Sequence, residues 1–194
     1  MRIMYIMLNK RCGLWPVMLL AAPMLAWSDD ESALLSKSRE LTADYATQLK
    51  AALQASMASG GPVEAITVCS DVAPQLASEI SRASGAKVRR TSWRFRNPGN
   101  APNDWEAQAL NHLEATGEQE FFEVTPDGGA RYLKAIPTGP VCLSCHGETL
   151  APAITEQLTE AYPHDRATGF AVGDLRGAFS VAWPPESSES ESSP

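Results

Sequence analysis

Residues 119–136, QEFFEVTPDGGARYLKAI, contain the clearest folding signal in this 194-residue chain. Two stretches rich in aromatic and aliphatic residues flank Pro126-Asp127-Gly128-Gly129. Such stretches are typical of β-strands, and a short Asp/Gly run between them is typical of a hairpin turn. The sequence therefore predicts two antiparallel strands, at 119–125 and 130–136.

One further strand is predicted on each side of this hairpin. Side chains alternate over residues 87–96, which puts Arg90, Arg94 and Arg96 on one face of the first strand. A last strand is predicted at 177–183. The sheet therefore has about four strands.

Helical periodicity precedes the sheet. Residues 32–59 predict a long amphipathic helix that Gly60-Gly61 ends, and a second helix follows at 62–84. Pro74 lies inside the second helix and predicts a kink or break just before it. Shorter helices are predicted at 105–115 and 153–161. Flanking helices, a long N-terminal helix and an antiparallel sheet make an α+β domain.

The N-terminal residues predict export. Residues 1–28 have three basic residues ahead of an apolar run at 14–26, with a small-residue cleavage site near Ser28. The run is short and contains Pro16 and Pro23, so we expect a cleaved signal peptide, a periplasmic protein and no stable membrane insertion. An uncleaved anchor is the alternative.

The rest of the chain divides into one domain and a tail. Residues 29–184 suit a single compact domain, and the Ser/Glu-rich residues 185–194 predict a disordered tail. The formal net charge is −7, and the predicted leader contains only basic charges, so its removal makes the protein more acidic. This charge disfavours nucleic acid and an anionic membrane surface as partners.

The chemistry-bearing motif is Cys142-Leu143-Ser144-Cys145-His146. C-x-x-C-H is the pattern that receives one covalently attached c-type haem, because both thiols can form thioethers and the adjacent imidazole can bind the iron. Two other interpretations are a redox-active C-x-x-C disulfide and a structural zinc site that adds Cys69. The preceding turn-forming run disfavours the disulfide, and adjacent zinc ligands at Cys145 and His146 are geometrically difficult.

The residues alone do not identify the second axial ligand of such an iron. The candidates are Cys69, Met57, His112, His164 or no protein group. Cys69 lies on the apolar side of the second predicted helix, where a buried cysteine often serves only as a small hydrophobic residue. A thiolate on iron would instead stabilise the ferric state.

Arg90, Arg94 and Arg96 stand out in an acidic protein. They either form a solvated strand face or pair with the haem propionates, which are carboxylates suited to bidentate contact with guanidinium groups.

Several blocks, in order along the chain, resemble a family of c-type haem proteins first described as a domain of unknown function. The blocks are AITVCSDVAP at 65–74, VRRTS at 88–92, RNPGN at 96–100, Trp105-Glu106, CLSCHG at 142–147, YPHDRATGF at 162–170 and GDLRGAFSV at 173–181. The resemblance implies that residues 29–184 form a PAS-like domain with a single haem ligated by His146 and Cys69. It also implies a relation to sensor-kinase input domains, for which redox or gas sensing has been proposed.

Two functions follow as hypotheses. The first is a redox or diatomic-gas sensor in which exchange of the Cys69 ligand moves its helix and signals to an unidentified redox or signalling protein. The alternative is a simple periplasmic electron-transfer cytochrome. An enzyme is less favoured, because no acid–base cluster is evident beyond His164 and Asp165.

Overall fold

Two N-terminal helices precede the sheet in the computed structural model, which describes residues 28–185. Helix α1 spans Asp29–Thr67, a π-helical turn spans Val68–Val72, and helix α2 spans Ala73–Ser84. The predicted leader and tail lie outside the described residues, apart from one residue each. No helix within residues 28–185 has the length and apolar character needed to cross a membrane.

Local sequence signals explain where these helices begin, break and end. Ser28 and Glu31 form a reciprocal capping box at the start of α1. Gly61, at φ 72° and ψ −166°, interrupts the helical backbone of α1 where the paired glycines predict a stop. Pro74 lies in the first turn of α2, directly after the π-helical turn, so the break predicted before it is confirmed.

The sheet has four antiparallel strands in the order β1-β4-β3-β2. The strands are β1 Lys87–Thr91, β2 Glu120–Val124, β3 Ala130–Pro137 and β4 Leu175–Trp183. The predicted α+β class and the hairpin of β2 and β3 are therefore confirmed.

The first strand is shorter than predicted. The prediction of one strand over residues 87–96 is wrong beyond Thr91, because the chain leaves the sheet at Ser92 and bends at Trp93 and Arg94. The Ser92 hydroxyl donates to the Arg176 carbonyl oxygen at 2.7 Å and accepts from the Arg94 amide at 3.2 Å. Side chain to backbone bonds of this kind compete with a strand ladder. Of the three arginines predicted to share a strand face, only Arg90 lies on a strand.

Each face of the sheet buries its own apolar cluster. Helices α1 and α2 cover one face, with Tyr45 and Ile80 packed against Val88, Phe179 and Val181. Helix α3, Asp104–Thr116, covers the other face, where these side chains pack together: Ala109, Leu110, Leu113, Leu133, Ala135 and Ala178. The alternation of the strands thus separates the two layers of the core.

Strand β4 contains a bulge at Arg176. Ile136 of β3 pairs with Gly177 and Pro137 pairs with Leu175, so Arg176 is an extra residue without a partner on β3. Gly177 has φ 147°, and a Cβ atom there would collide with the Thr91 carbonyl oxygen. The bulge changes which face each side chain takes. Leu175 packs with the α3 cluster, and Arg176 turns towards the α1 side.

Two short helices lie between β3 and β4. Helix α4, Leu143–His146, contains most of the C-x-x-C-H motif, and helix α5 spans Pro152–Ala161. A third cluster joins them to the end of α1, with Ile66, Ile154, Leu158 and Tyr162 buried and Cys145 packed against them. The motif is therefore anchored beside the break between α1 and α2.

Candidate functional site

A cleft on the α1 side of the sheet brings the candidate residues together. It contains about 720 Å³ of space that the protein does not fill, part of it open to solvent. Its polar wall contains Cys69, Cys142, Cys145, His146, Arg90, Arg96 and Arg176. Leu49, Leu53, Met57, Ile66 and Val141 contribute apolar surface. Residues far apart in the sequence thus line one pocket with an apolar part and a cationic part.

His146 is held in one orientation by its surroundings. Its Nδ1 is 2.7 Å from the Ala167 carbonyl oxygen, which can only accept, so Nδ1 carries the proton and donates. Nε2 is left as the nitrogen with a free lone pair. Burial, followed by the charges of Arg176 and Arg96, lowers the pKa of His146 to about 3. The imidazole is therefore neutral at ordinary pH, the form that binds metals.

The motif thiols lie on a tight turn. The 3-10 turn Pro140–Cys142 leads directly into α4, and both Cys142 and Cys145 are half-buried free thiols. Burial raises the pKa of the Cys145 thiol, and the Arg96 charge opposes that shift. The short helical turn places two thiols and an imidazole on one small unit.

Cys69 lines the same cleft but comes from a distant part of the sequence. It is a half-buried free thiol on the π-helical turn, rather than on a regular helix as predicted. Single π-turns inside longer helices are frequent at functional sites because they shift side chains out of the regular helical rows. Within the described residues, no three His, Cys, Asp or Glu side chains are grouped so that they could hold a metal ion.

Arg96 links the motif by hydrogen bonds to the loop that contains Asp165 and Ala167. Its Nε donates to Asp165 Oδ2 at 3.0 Å, and its Nη2 donates to the carbonyl oxygens of Cys145 at 2.6 Å and Ala167 at 3.2 Å. Because Ala167 also accepts from His146, the Arg96 guanidinium and the imidazole share one anchoring point. Nε and Nη2 of Arg96 therefore already donate hydrogen bonds to other residues of the protein.

Comparison with known proteins places the chain in a family. A family model described as Tll0287-like matches residues 24–184. The chain belongs to the Tll0287-like family. A solved structure, described as the crystal structure of the cyanobacterial heme-protein Tll0287, shares 28% sequence identity and a TM-score of 0.61. That match covers 83% of this chain and 98% of the other. No curated protein matches the chain.

The other candidate ligands of this Tll0287-like chain lie in different places. His112 Nε2 contacts Glu118 Oε2 at 2.8 Å on the surface beside α3, and His164 is exposed. Neither histidine lines the cleft. Met57, which its helical spacing assigns to packing, lines the cleft wall with Leu49 and Leu53. Cys69 and Met57 are therefore the sulfur groups that the structure brings to His146 besides the motif thiols.

The three predicted arginines have different surroundings. Arg90 and Arg96 line the cleft, whereas Arg94 lies over the Phe170 ring, 3.8 Å from its centroid, and lines neighbouring cavities. Arg176 lines the cleft and was missed by sequence reasoning, because it falls just before the predicted last strand. The only sequence signal for it is its place in the GDLRGAFSV block.

Proposed function

We propose that this chain is an exported monohaem c-type cytochrome. The observation that carries the proposal is that Cys142, Cys145 and His146 line one cleft with a third thiol, in a family with a heme-protein among its solved structures. The donor set suits this cofactor, since two thiols can form thioethers and a neutral imidazole with free Nε2 can ligate iron.

The proposed second axial ligand is Cys69. It lies in the same cleft as His146 and approaches from a different element, the π-helical turn. Haem, when bound, supplies an iron that changes its charge by one electron and can take diatomic gases in its ferrous state. The Ala167 carbonyl oxygen orients the His146 imidazole, and Arg96 holds the motif by a hydrogen bond to the Cys145 carbonyl oxygen.

The proposed activity is redox or gas sensing through exchange of the Cys69 ligand. The π-helical turn connects α1 to α2, so a movement of Cys69 acts directly on both helices. A π-helical turn inside a longer helical run is frequently found at a functional site. The PAS-like character of the domain and its periplasmic location, inferred from residues 1–28, belong to the same proposal.

Simple electron transfer is the second candidate. Val141, adjacent to Cys142 in the cleft wall, is 69% exposed. This exposure leaves the surface beside the proposed attachment site accessible to a partner protein.

Attachment is tested on protein exported with the haem-attachment machinery. Haem that stays with the denatured chain, and is lost when Cys142 and Cys145 are replaced by Ala, supports the proposal. A purified protein with zinc and no haem band contradicts it.

Ligation is tested with Cys69→Ala, and Met57→Leu is the matched control because it removes the other non-motif sulfur from the same cleft. The ferric wild type is expected to give a low-spin, thiolate-type EPR spectrum that Cys69→Ala abolishes and Met57→Leu preserves. An unchanged spectrum in Cys69→Ala contradicts ligation by Cys69. Carbon monoxide binding by the ferrous wild type favours sensing, whereas no binding favours electron transfer.

A further inference from the structure

A second cavity adjoins the cleft and is richer in cationic groups. It contains about 540 Å³ of space that the protein does not fill, part of it open to solvent, and it shares five lining residues with the cleft: Cys69, Arg90, Arg96, His146 and Arg176. Tyr162 and Asn100 are among the residues that line this second cavity but not the cleft. Because the two spaces share five lining residues, a ligand seated against His146 can extend a side group into the second cavity.

Two buried hydrogen-bond donors of this cavity lack an acceptor. Arg176 Nε and Tyr162 Oη are buried and have no hydrogen-bond partner within residues 28–185. Both atoms carry a hydrogen that they can donate. Buried donors are nearly always paired in native proteins, because each unpaired group costs about 1–3 kcal/mol. The cavity is therefore complementary to a group that accepts hydrogen bonds.

The same cavity also lacks a negative charge. Four guanidinium groups line it, those of Arg90, Arg94, Arg96 and Arg176, and of these only Arg96 forms an ion pair in the described part of the chain, with Asp165. Burial, and then the charge of Arg90, lowers the pKa of Arg176. Two neighbouring cations repel each other unless an anion lies close to both.

The fold positions Arg176 there through a specific distortion. The β4 bulge makes Arg176 the extra residue of its strand, and Gly177 allows the close contact with β1 that the bulge requires. Bulges are frequent beside functional sites, where they redirect one side chain. Without the bulge, strand alternation would place Arg176 on the face covered by α3.

We propose that Arg176 and Arg90 bind a haem propionate carboxylate in this cavity. The inference rests on the proposed haem site and deepens it. A carboxylate is negatively charged and only accepts hydrogen bonds, so it satisfies both deficiencies, and guanidinium groups suit it in bidentate geometry. Arg96 and Arg94 also line the cavity, but Arg96 is engaged by Asp165 and two carbonyl oxygens and Arg94 stacks on Phe170, so the carboxylate is assigned to neither of them.

The test uses the haem-loaded protein and the variants Arg176→Gln and Arg90→Gln, with Arg94→Gln as the matched control. Haem ¹³C-labelled at its propionates identifies the propionate carboxylate bands in redox infrared difference spectra. We expect these bands to shift in Arg176→Gln and Arg90→Gln and to stay unchanged in Arg94→Gln. The ferric form should also be favoured about tenfold in the first two variants, which is about 59 mV for one electron.

The outcomes separate this inference from the proposed function. Unchanged propionate bands in haem-loaded Arg176→Gln and Arg90→Gln overturn the inference and leave haem attachment intact. Bands that shift only in Arg94→Gln also overturn it. A wild-type protein that carries no haem overturns the proposed function itself. Should Arg176→Gln fail to fold, Arg176→Lys keeps the charge but loses the bidentate contact, so its propionate bands must still shift.

Discussion

Arg96→Gln is expected to destabilise the segment that holds the motif. The wild-type guanidinium bridges the Cys145 carbonyl oxygen, the Ala167 carbonyl oxygen and the Asp165 carboxylate. Gln has one amide in place of the guanidinium fork, so it cannot reproduce all three contacts. The substitution also leaves Asp165 without its charge partner.

The magnitude follows from burial. Arg96 is 8% exposed and Asp165 is 13% exposed, so the pair is largely shielded from water. Removing one partner of a buried pair costs about 3–5 kcal/mol. Because water reaches part of the Asp165 carboxylate, we expect the lower end, about 3 kcal/mol. For a domain of this size that loss corresponds to a fall in Tm of about 6–12 °C.

Thermal and urea unfolding of the purified protein, followed by circular dichroism, measure this loss. Arg94→Gln is the control, because Arg94 is a half-buried arginine of the same loop whose stacking on Phe170 contributes only about 1 kcal/mol. The reasoning is refuted if Arg96→Gln is as stable as Arg94→Gln. A large loss in both variants would show that the loop responds to any substitution.

Three further outcomes are expected. Glu106→Ala should lower the free energy of unfolding by about 3–5 kcal/mol, because Glu106 is 2% exposed and pairs with Arg89 at 3.0 Å; urea titration measures it. Gly177→Ala should cost about 1–3 kcal/mol through its positive φ and the contact with Thr91, measured as a lower Tm. Tyr132→Phe should flatten the alkaline loss of stability. Burial, followed by the bond to Glu120, raises the pKa of Tyr132, so the folded state retains a proton that the unfolded chain releases above about pH 10.

The first two of these outcomes have a matched comparison. Glu114→Ala removes an exposed carboxylate from the same helix as Glu106 and should change the free energy of unfolding by less than about 0.5 kcal/mol. Gly128 also has a positive φ, but a Cβ atom there would meet no neighbouring atom. If Gly128→Ala lowers the Tm as much as Gly177→Ala does, the Gly177 effect comes from φ alone and not from the contact with Thr91. An unchanged slope of stability against pH in Tyr132→Phe would contradict the Tyr132 prediction.

Elements with strong local signals could be predicted from the sequence. The hairpin of β2 and β3, the interruption at Gly61 and the break before Pro74 all depend on residues next to one another in the chain. Glycine and proline determine backbone conformation largely by themselves, so these features need no knowledge of the tertiary fold. The residues of the C-x-x-C-H unit are also neighbours in the chain, so it could be predicted from the sequence that its two thiols and its imidazole lie close together.

Features that depend on distant residues were harder to predict. The alternation of residues 87–96 continues past Thr91, but the Ser92 hydroxyl binds the Arg176 carbonyl oxygen and the strand ends. Arg176 itself reaches the cleft only because a bulge reverses the alternation of β4. Gly177 is a local signal for a bulge, but it does not show which face Arg176 takes. The different surroundings of Arg96 and Arg90 likewise depend on a distant residue. Arg96 pairs with Asp165, which lies 69 residues further along the chain.

Strand β4 is the last strand in the sequence, yet it forms two of the three strand pairings in the sheet. A chain that emerges N-terminus first, from a ribosome or through a membrane, presents β1 and the β2–β3 hairpin before their common neighbour exists. A hairpin alone is at best marginally stable in water. Cys142 and Cys145 thus emerge ahead of the strand that completes the sheet. We expect both thiols to be open to modifying enzymes until residues 175–183 insert. Under the proposed function, the timing of that insertion would limit the period in which haem can be attached.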